Sequence, residues 1–111
     1  MDSKQLSWSD FEKVDIRVGT VMEALDFPEA RKPAYKLYID FGAPIGVLKT
    51  SAQITKLYAK ESLIGQQLVA VVNFPEKQIA NFKSQCLVLG AVNKDEVTLL
   101  QPMSKVHNGL K

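Results

Sequence analysis

The chain has 111 residues, 46% of them hydrophobic and 23% charged, with a formal net charge of +2. These totals predict one globular domain over residues 1–111 with its own core, and they exclude a disordered chain. The mild positive charge supports a basic surface only if the fold gathers the lysines on one face. Cys86 is the only cysteine, which excludes an intrachain disulfide and a cysteine-based metal site.

No stretch of the chain stays apolar over the roughly 18–20 residues that a membrane-spanning helix needs. The opening residues, MDSKQLSWSD, are polar and acidic, which is not the pattern of a signal peptide. We therefore expect a cytoplasmic protein without membrane insertion, in which residues 1–6 are flexible.

The N-terminal segment predicts a short helix over residues 7–13. Either Ser7 or Ser9 is a suitable cap, because a side-chain oxygen at that position accepts a hydrogen bond from a free backbone N–H. Trp8 and Phe11 are three residues apart and share one face of this helix. We expect the two rings to plug one end of the domain; a role in ligand binding is the alternative.

Three strands are predicted in the first half of the chain. Residues 14–25 form a long strand whose apolar pattern slips after Gly19, which predicts a β-bulge or sharp bend at that glycine. Residues 35–41 alternate cleanly between apolar and polar side chains, and residues 45–49 return as the hairpin partner after a Gly-Ala-Pro turn.

The second half predicts short helical turns over residues 51–57 and 61–64, and a last strand over residues 97–100. The two strands between them, over residues 68–72 and 86–92, are apolar on both faces. A small antiparallel sheet needs only one buried face, and a chain of this length has little left to cover the other. We infer that a second copy of the chain covers it.

These elements predict an all-β fold of five or six strands. The helical insert between the third and fourth strands favours an OB-type barrel with short helices there and at the N-terminus. Composition alone leaves an SH3-like barrel or a sandwich open. The sequence has no internal repeat, linker or low-complexity segment, so a single domain is expected.

The loop predicted over residues 74–83 carries three large apolar side chains in a segment that should lie at the surface. They are Phe74, Ile79 and Phe82. Such loops often bind a ligand or a partner; the alternative is that the three side chains pack into the core. Ser51 and Gln53 follow the third strand and offer short hydrogen-bonding groups, although Ser51 could instead cap the helix that follows.

Several basic residues could form a rim beside these loops. They are Arg31, Lys32, Lys36, Lys49, Lys56, Lys77 and Lys83. Each lysine alone is best explained as an ordinary solvated side chain, but phosphate binding uses several cations at once. Tyr38, on the polar side of its strand, is a candidate for stacking on a base, whereas Tyr35 is expected in the core.

No catalytic or metal site is predicted. The acidic residues are scattered, no glycine-rich phosphate loop is present, and no nucleophile has a base beside it. His107 is the only histidine and has no acidic residue near it in the sequence, and Cys86 lies in an apolar strand where a buried side chain is expected. We therefore expect a protein that is not an enzyme and holds no cofactor.

Residues 10–21, DFEKVDIRVGTV, resemble the opening signature of the free-standing tRNA-binding OB domains. Three further stretches, FPEAR at residues 27–31, TSAQIT at 50–55 and VVNFP at 71–75, resemble the CsaA branch of that family, bacterial chaperones associated with protein export. The similarity runs from Asp10 to Gly109. One departure is that the Ala-Asp-Lys-Leu-Tyr stretch of the tRNA-binding branch lacks its Asp here and follows a longer loop.

The resemblance implies an OB barrel, binding without catalysis, and a homodimer built from the terminal segments and adjoining strands. In the CsaA branch, it implies a cleft on the dimer that holds unfolded or preprotein segments. In the tRNA-binding branch, the matching surface grips tRNA by its shape.

Two hypotheses follow, with a third in which the protein is a dimeric accessory protein whose OB face binds another protein. In the first, a dimeric chaperone-like module binds apolar, positively flanked peptide segments. Its apolar floor is Phe74, Ile79 and Phe82, and the residues that hydrogen-bond the peptide backbone are Ser51, Gln53 and Asn73. In the second, the protein binds tRNA. Its contacts are Lys36, Lys49, Lys77 and Lys83 to phosphates, Tyr38 to bases, and Ser51 and Gln53 to sugars or base edges.

Overall fold

A computed structural model describes residues 4–111. Of the segment expected to be flexible, residues 1–3 lie outside the described residues, and residues 4–6 are exposed and belong to no helix or strand. The helices are α1 (Trp8–Glu12) and α2 (Lys60–Leu63). The strands are β1 (Ile16–Asp26), β2 (Tyr35–Asp40), β3 (Val47–Ala52), β4 (Gln67–Val71), β5 (Lys77–Ile79), β6 (Phe82–Ser84), β7 (Leu87–Val88), β8 (Gly90–Asn93) and β9 (Glu96–Leu99).

Five antiparallel strands form a nearly closed barrel in the order β3-β2-β1-β4-β7. At the remaining seam, the backbone N–H of Gln85 donates to the carbonyl of Lys49 at 2.8 Å. The hydroxyl of Thr50 donates to the carbonyl of Cys86 at 2.6 Å, which closes the seam one residue further along. The fold is therefore the predicted all-β OB barrel, with short helices at the N-terminus and between β3 and β4.

Apolar and polar side chains alternate along β2, and its apolar side chains point into the core. Leu37 and Ile39 among them are fully buried. Gly19 lies against this layer, and a Cβ atom there would come within 2.6 Å of the Ile39 side chain and 2.8 Å of the Phe41 ring. Glycine is thus required at this position because the Ile39 and Phe41 side chains approach the backbone of β1 closely. The bulge predicted at Gly19 lies further along β1, where the register with β2 shifts between Val21 and Glu23.

The two strands that are apolar on both faces have different surroundings. In β4, Leu68 on one face and Val71 on the other are both buried within the single chain. The C-terminal segment covers part of the second face, because the Gln67 side chain donates to the carbonyl of Val106 at 2.6 Å and accepts from its N–H at 3.0 Å. The inference that this strand needs a second copy is therefore wrong.

The other run, residues 86–92, divides into β7 and β8 and leaves apolar side chains open to solvent. Cys86 is buried, but Leu87 is 50% exposed and Val92 is 73% exposed. The second face of this run is thus uncovered within one chain. It forms one wall of the groove described below.

Helix α1 begins as predicted, since the Ser7 hydroxyl accepts a hydrogen bond from the N–H of Asp10 at 3.1 Å. Trp8 and Phe11 meet edge to face with their ring centroids 6.0 Å apart. They do not plug the barrel, because they remain 78% and 45% exposed. Neither α1 nor α2 is long and apolar enough to cross a membrane.

Two further expectations for the second half are corrected. Ser51 belongs to β3, which continues to Ala52, and residues 55–57 form a turn without a helix, so Ser51 caps no helix. The loop predicted over residues 74–83 contains the β5–β6 hairpin.

Candidate ligand-binding groove and basic face

An open groove of about 660 Å³ lies beside the barrel seam, between the β5–β6 and β8–β9 hairpins. Its lining includes Ser51, Gln53, Phe74, Ile79, Leu87 and Val92. Phe74 is 55% exposed. Together with Leu87 and Val92, it makes three large apolar side chains of this groove that face solvent. Apolar surface of this kind is typical of a site that another molecule covers.

The wall of the groove is held by a small network of hydroxyl groups. Thr50 points inward from β3 and is 1% exposed, and its Oγ1 lies 2.8 Å from the Oγ of Ser84. The same Ser84 oxygen accepts the backbone N–H of Ser51 at 3.1 Å. These contacts attach the β5–β6 hairpin to the barrel seam, and they explain why a buried polar residue occurs in β3.

Cys86 lies in the lining of the groove but is buried. Burial raises the pKa of its thiol to about 12, against a smaller opposing effect of the hydrogen bond with Thr50. The thiolate is the nucleophilic form of cysteine, so this side chain acts as a small apolar group rather than as a reactive one. Within residues 4–111, no three His, Cys, Asp or Glu side chains converge to form a metal site.

The β5–β6 hairpin has two distinct faces. Its pairs are Lys77 with Ser84, Gln78 with Lys83, and Ile79 with Phe82. Because side chains alternate along a strand, Lys77, Ile79, Phe82 and Ser84 share the inner face, and Gln78 and Lys83 share the outer face. Lys77, Ile79 and Ser84 line the groove.

Phe82 was expected at the surface but is only 6% exposed. It packs against Phe27 with the ring centroids 5.4 Å apart, in a second, smaller core cluster with Ala34. The cause is that the hairpin folds its inner face against the loop between β1 and β2. Phe82 therefore does not belong to the lining of the groove.

Two lysines lie above this aromatic pair. The Lys36 ammonium is 5.1 Å from the ring centre of Phe27, and the Lys49 ammonium is 5.1 Å from that of Phe82. In the β2–β3 register, Lys36 is opposite Ser51, and Tyr38 is opposite Lys49. We define the basic face by these three residues, Lys36, Tyr38 and Lys49, which share the outer surface of the two strands.

The structure thus divides the predicted site residues into groups. The groove brings together Ser51, Gln53, Phe74, Ile79 and Lys77, and the basic face brings together Lys36, Tyr38 and Lys49. Lys83 lies apart from both, on the outer face of the hairpin.

The Asn73 side chain makes its hydrogen bonds within the chain. Its side-chain nitrogen donates to the carbonyl of Lys13 at 2.6 Å, and its oxygen accepts from the N–H of Asp15 at 3.0 Å. Sequence reasoning missed Leu87 and Val92 as groove residues, although the doubly apolar run that contains them was a usable signal.

Both ends of the chain carry exposed apolar side chains, which we call the terminal patch: Trp8, Phe11, Val14 and Leu110. Arg17 ties the two ends together. Its guanidinium binds the carboxylate of Asp15 and donates to the carbonyl of Gly109 at 2.9 Å. The charged residues of the DIRVG stretch therefore serve to hold the chain termini on the barrel.

Residues 16–111 match the family model described as a putative tRNA binding domain. The chain therefore belongs to the tRNA-binding domain family. Among solved structures, the chaperone CsaA from Bacillus anthracis is 54% identical, with a TM-score of 0.90 over 95% of this chain and 96% of that one. The CsaA chaperone from Picrophilus torridus is also 54% identical, with a TM-score of 0.89 and the same coverage.

Tethered tRNA-binding domains of the same family are also similar. The methionine–tRNA ligase of Pyrococcus furiosus is 34% identical over 106 residues, which is 96% of this chain but 14% of that enzyme. The chain thus corresponds to one appended domain of the ligase, whereas it matches the CsaA chaperones over nearly their full length. The resemblance to the CsaA branch that the sequence motifs indicated is confirmed.

Proposed function

We propose that this tRNA-binding-family domain is a non-catalytic, homodimeric, chaperone-like protein of the cytoplasm that binds unfolded or preprotein segments during protein export. The observation that carries the proposal is the open groove of about 660 Å³, in which Phe74, Leu87 and Val92 face solvent. The 54% sequence identity of the chain to chaperones named CsaA supports the same function.

The groove has the chemistry that an extended apolar segment needs. Covering one large apolar side chain stabilises a complex by about 1.5–3 kcal/mol, so three such side chains provide a useful affinity after the cost of ordering the peptide. Ser51 and Gln53 at the edge of the groove offer hydrogen-bonding partners for the peptide backbone, which would otherwise lose its bonds to water.

A titration with an uncharged, dye-labelled peptide of leucine, alanine and serine tests this role. Val92→Asp places a charge in the groove at a highly exposed position, and we expect it to weaken binding at least about tenfold without unfolding the domain. Val47→Asp is the matched control, because Val47 is 54% exposed and lies outside the groove lining. Equal affinity for the wild type and Val92→Asp would contradict the proposal.

Homodimerisation is proposed through the terminal patch, where both chain ends expose apolar side chains. Covering Trp8 and Phe11 removes two aromatic rings from water, a typical way to stabilise an interface. Sedimentation equilibrium at micromolar protein should give twice the chain mass of 12.3 kDa. Trp8→Asp should shift the mass toward the monomer, and a wild type that sediments as a monomer would refute this part of the proposal.

A second candidate function, tRNA binding, is favoured by the basic face. Lys36 and Lys49 lie beside Tyr38 on the surface of β2 and β3, the region with which OB folds bind oligonucleotides. The affinity for bulk tRNA should fall steeply with salt, and Lys36→Gln/Lys49→Gln should lower the salt slope by about 2. Lys105→Gln/Lys111→Gln, in the C-terminal segment, is the control. An unchanged slope in the first variant would argue against this face.

A further inference from the structure

The groove and the basic face meet along the β2–β3 pair. Ser51 lines the groove, and it is directly opposite Lys36 in the β2–β3 register. Side chains of opposed residues in an antiparallel pair are about 5 Å apart at their Cβ atoms. Lys49 is two residues along β3, or about 7 Å. One side of the groove is therefore adjacent to both ammonium-bearing positions.

The β5–β6 hairpin connects the two surfaces a second time. Ile79 lines the groove and also packs against the cluster of Phe27 and Phe82. That cluster supports the ammonium groups of Lys36 and Lys49. A ligand in the groove would thus contact Ile79, and a ligand on the basic face would contact the lysines that lie over the neighbouring Phe27 and Phe82 rings.

The size of the ligands decides what this arrangement does. A domain that binds double-stranded RNA contacts about 16 base pairs, a span many times the distance of about 7 Å between Lys49 and Ser51 along the strand. An RNA whose phosphates contact Lys36 and Lys49 would therefore extend over Ser51 and the adjoining side of the groove. A peptide that fills the groove and bonds with Ser51 would extend toward the same lysines.

We propose that a peptide in the groove and tRNA on the basic face exclude one another, so that the protein carries one class of ligand at a time. This inference rests on both functions proposed above. It adds a regulatory property to the groove: free tRNA acts as a competitor of peptide binding, and peptide lowers the affinity for tRNA by the same factor.

The test uses the uncharged labelled peptide and bulk tRNA at constant ionic strength, so that salt cannot mimic competition. With full exclusion, the apparent Kd of the peptide rises linearly with free tRNA and is about elevenfold higher when tRNA is at ten times its own Kd. A rise that reaches a plateau, or an unchanged Kd, would mean that both ligands bind together, and would overturn the inference.

Two controls separate this result from the proposed functions themselves. Peptide and tRNA are first titrated singly, and absence of binding in either titration refutes the corresponding function and the exclusion with it. The peptide affinity of Lys36→Gln/Lys49→Gln is measured first without tRNA. Relative to that affinity, the variant should lose the competition by tRNA, whereas Lys105→Gln/Lys111→Gln should keep it. If competition persists undiminished in Lys36→Gln/Lys49→Gln, the inference that the two ligands share the edge formed by Ser51 and these lysines is wrong.

Discussion

The side-chain oxygen of Asn73 accepts a hydrogen bond from the backbone N–H of Asp15 at 3.0 Å, across 58 residues of sequence. The amide nitrogen of the same side chain donates to the carbonyl of Lys13 at 2.6 Å. This pair of bonds attaches the end of α1 to the end of β4, immediately before Phe74 enters the groove. The position of the N-terminal helix is thereby linked to the position of a groove residue.

Asn73→Ala should lower the free energy of unfolding by about 1–2 kcal/mol, because two backbone groups lose their partner. Chemical denaturation measures this change. Asn81→Ala is the matched control, since Asn81 is exposed in the turn between β5 and β6, and it should unfold like the wild type. Equal stability of all three proteins would show that the Asn73 bonds contribute nothing measurable.

Gly19→Ala should destabilise the barrel by about 1–3 kcal/mol through overpacking, because the new Cβ would meet Ile39 and Phe41 below 3 Å. Gly46→Ala separates this effect from backbone strain. At Gly46 the φ angle is +79° and nothing lies within 4 Å of the added Cβ, so only the strain of about 1–2 kcal/mol remains. Thermal unfolding of both variants gives the comparison, and a Gly19→Ala protein as stable as the wild type would contradict the close approach.

The hydrogen bond from the Arg17 guanidinium holds the pKa of the Asp15 carboxyl below its ordinary value, with further lowering from the charges of Arg17 and Lys111. A lowered folded-state pKa contributes stability above the unfolded-state value of about 3.9, and this contribution is lost as the pH falls through the folded-state value. In Arg17→Met, the free energy of unfolding should therefore fall less than in the wild type as the pH drops below about 4.

A carboxyl NMR titration of Asp15 measures the shift directly. Its midpoint should rise in Arg17→Met. It should stay in place in Lys60→Met, a control that removes the separate 2.8 Å ion pair between Lys60 and Asp26. A midpoint that is the same in all three proteins would rule out the Arg17 bond as the cause.

Cys86 should resist alkylation in the folded protein. Burial raises the pKa of its thiol to about 12, so little of the nucleophilic thiolate is present at pH 8, and burial restricts access further. Iodoacetamide labelling followed by mass spectrometry should show modification only in denaturant. Labelling of the folded protein at the rate seen in denaturant would mean that the barrel seam opens readily.

Phe82→Ala should mainly lower stability, whereas Phe74→Ala should mainly weaken peptide binding. Phe82 is buried against Phe27, so its truncation should cost about 3 kcal/mol of stability. Phe74 is largely exposed and lines the groove, so its truncation should leave stability nearly unchanged and weaken binding of the labelled peptide by about 1–3 kcal/mol. If Phe82→Ala weakens peptide binding at full stability while Phe74→Ala does not, the groove is misassigned.

Local patterns predicted much of the barrel. Leu37 and Ile39 alternate with polar neighbours, and β2 has the burial that this alternation predicts. The β5–β6 hairpin escaped prediction, because its turn is Ala80-Asn81, with Ala80 at a φ of 51°, rather than a glycine-containing pair. The bulge in β1 was misplaced because a glycine in a strand has two explanations, a bulge and a close approach, and the sequence does not distinguish them.

The sequence by itself determined that residues 68–72 and 86–92 are apolar on both faces, and the motifs along the chain indicated the family to which the chain belongs. Only the tertiary structure decided which cover each strand receives. The C-terminal segment lies across β4 at Gln67, whereas Leu87 and Val92 stay open and form the groove. Local alternation reports that a side chain favours burial, but the segment that buries it comes from far along the chain and is selected by the packing of the whole barrel.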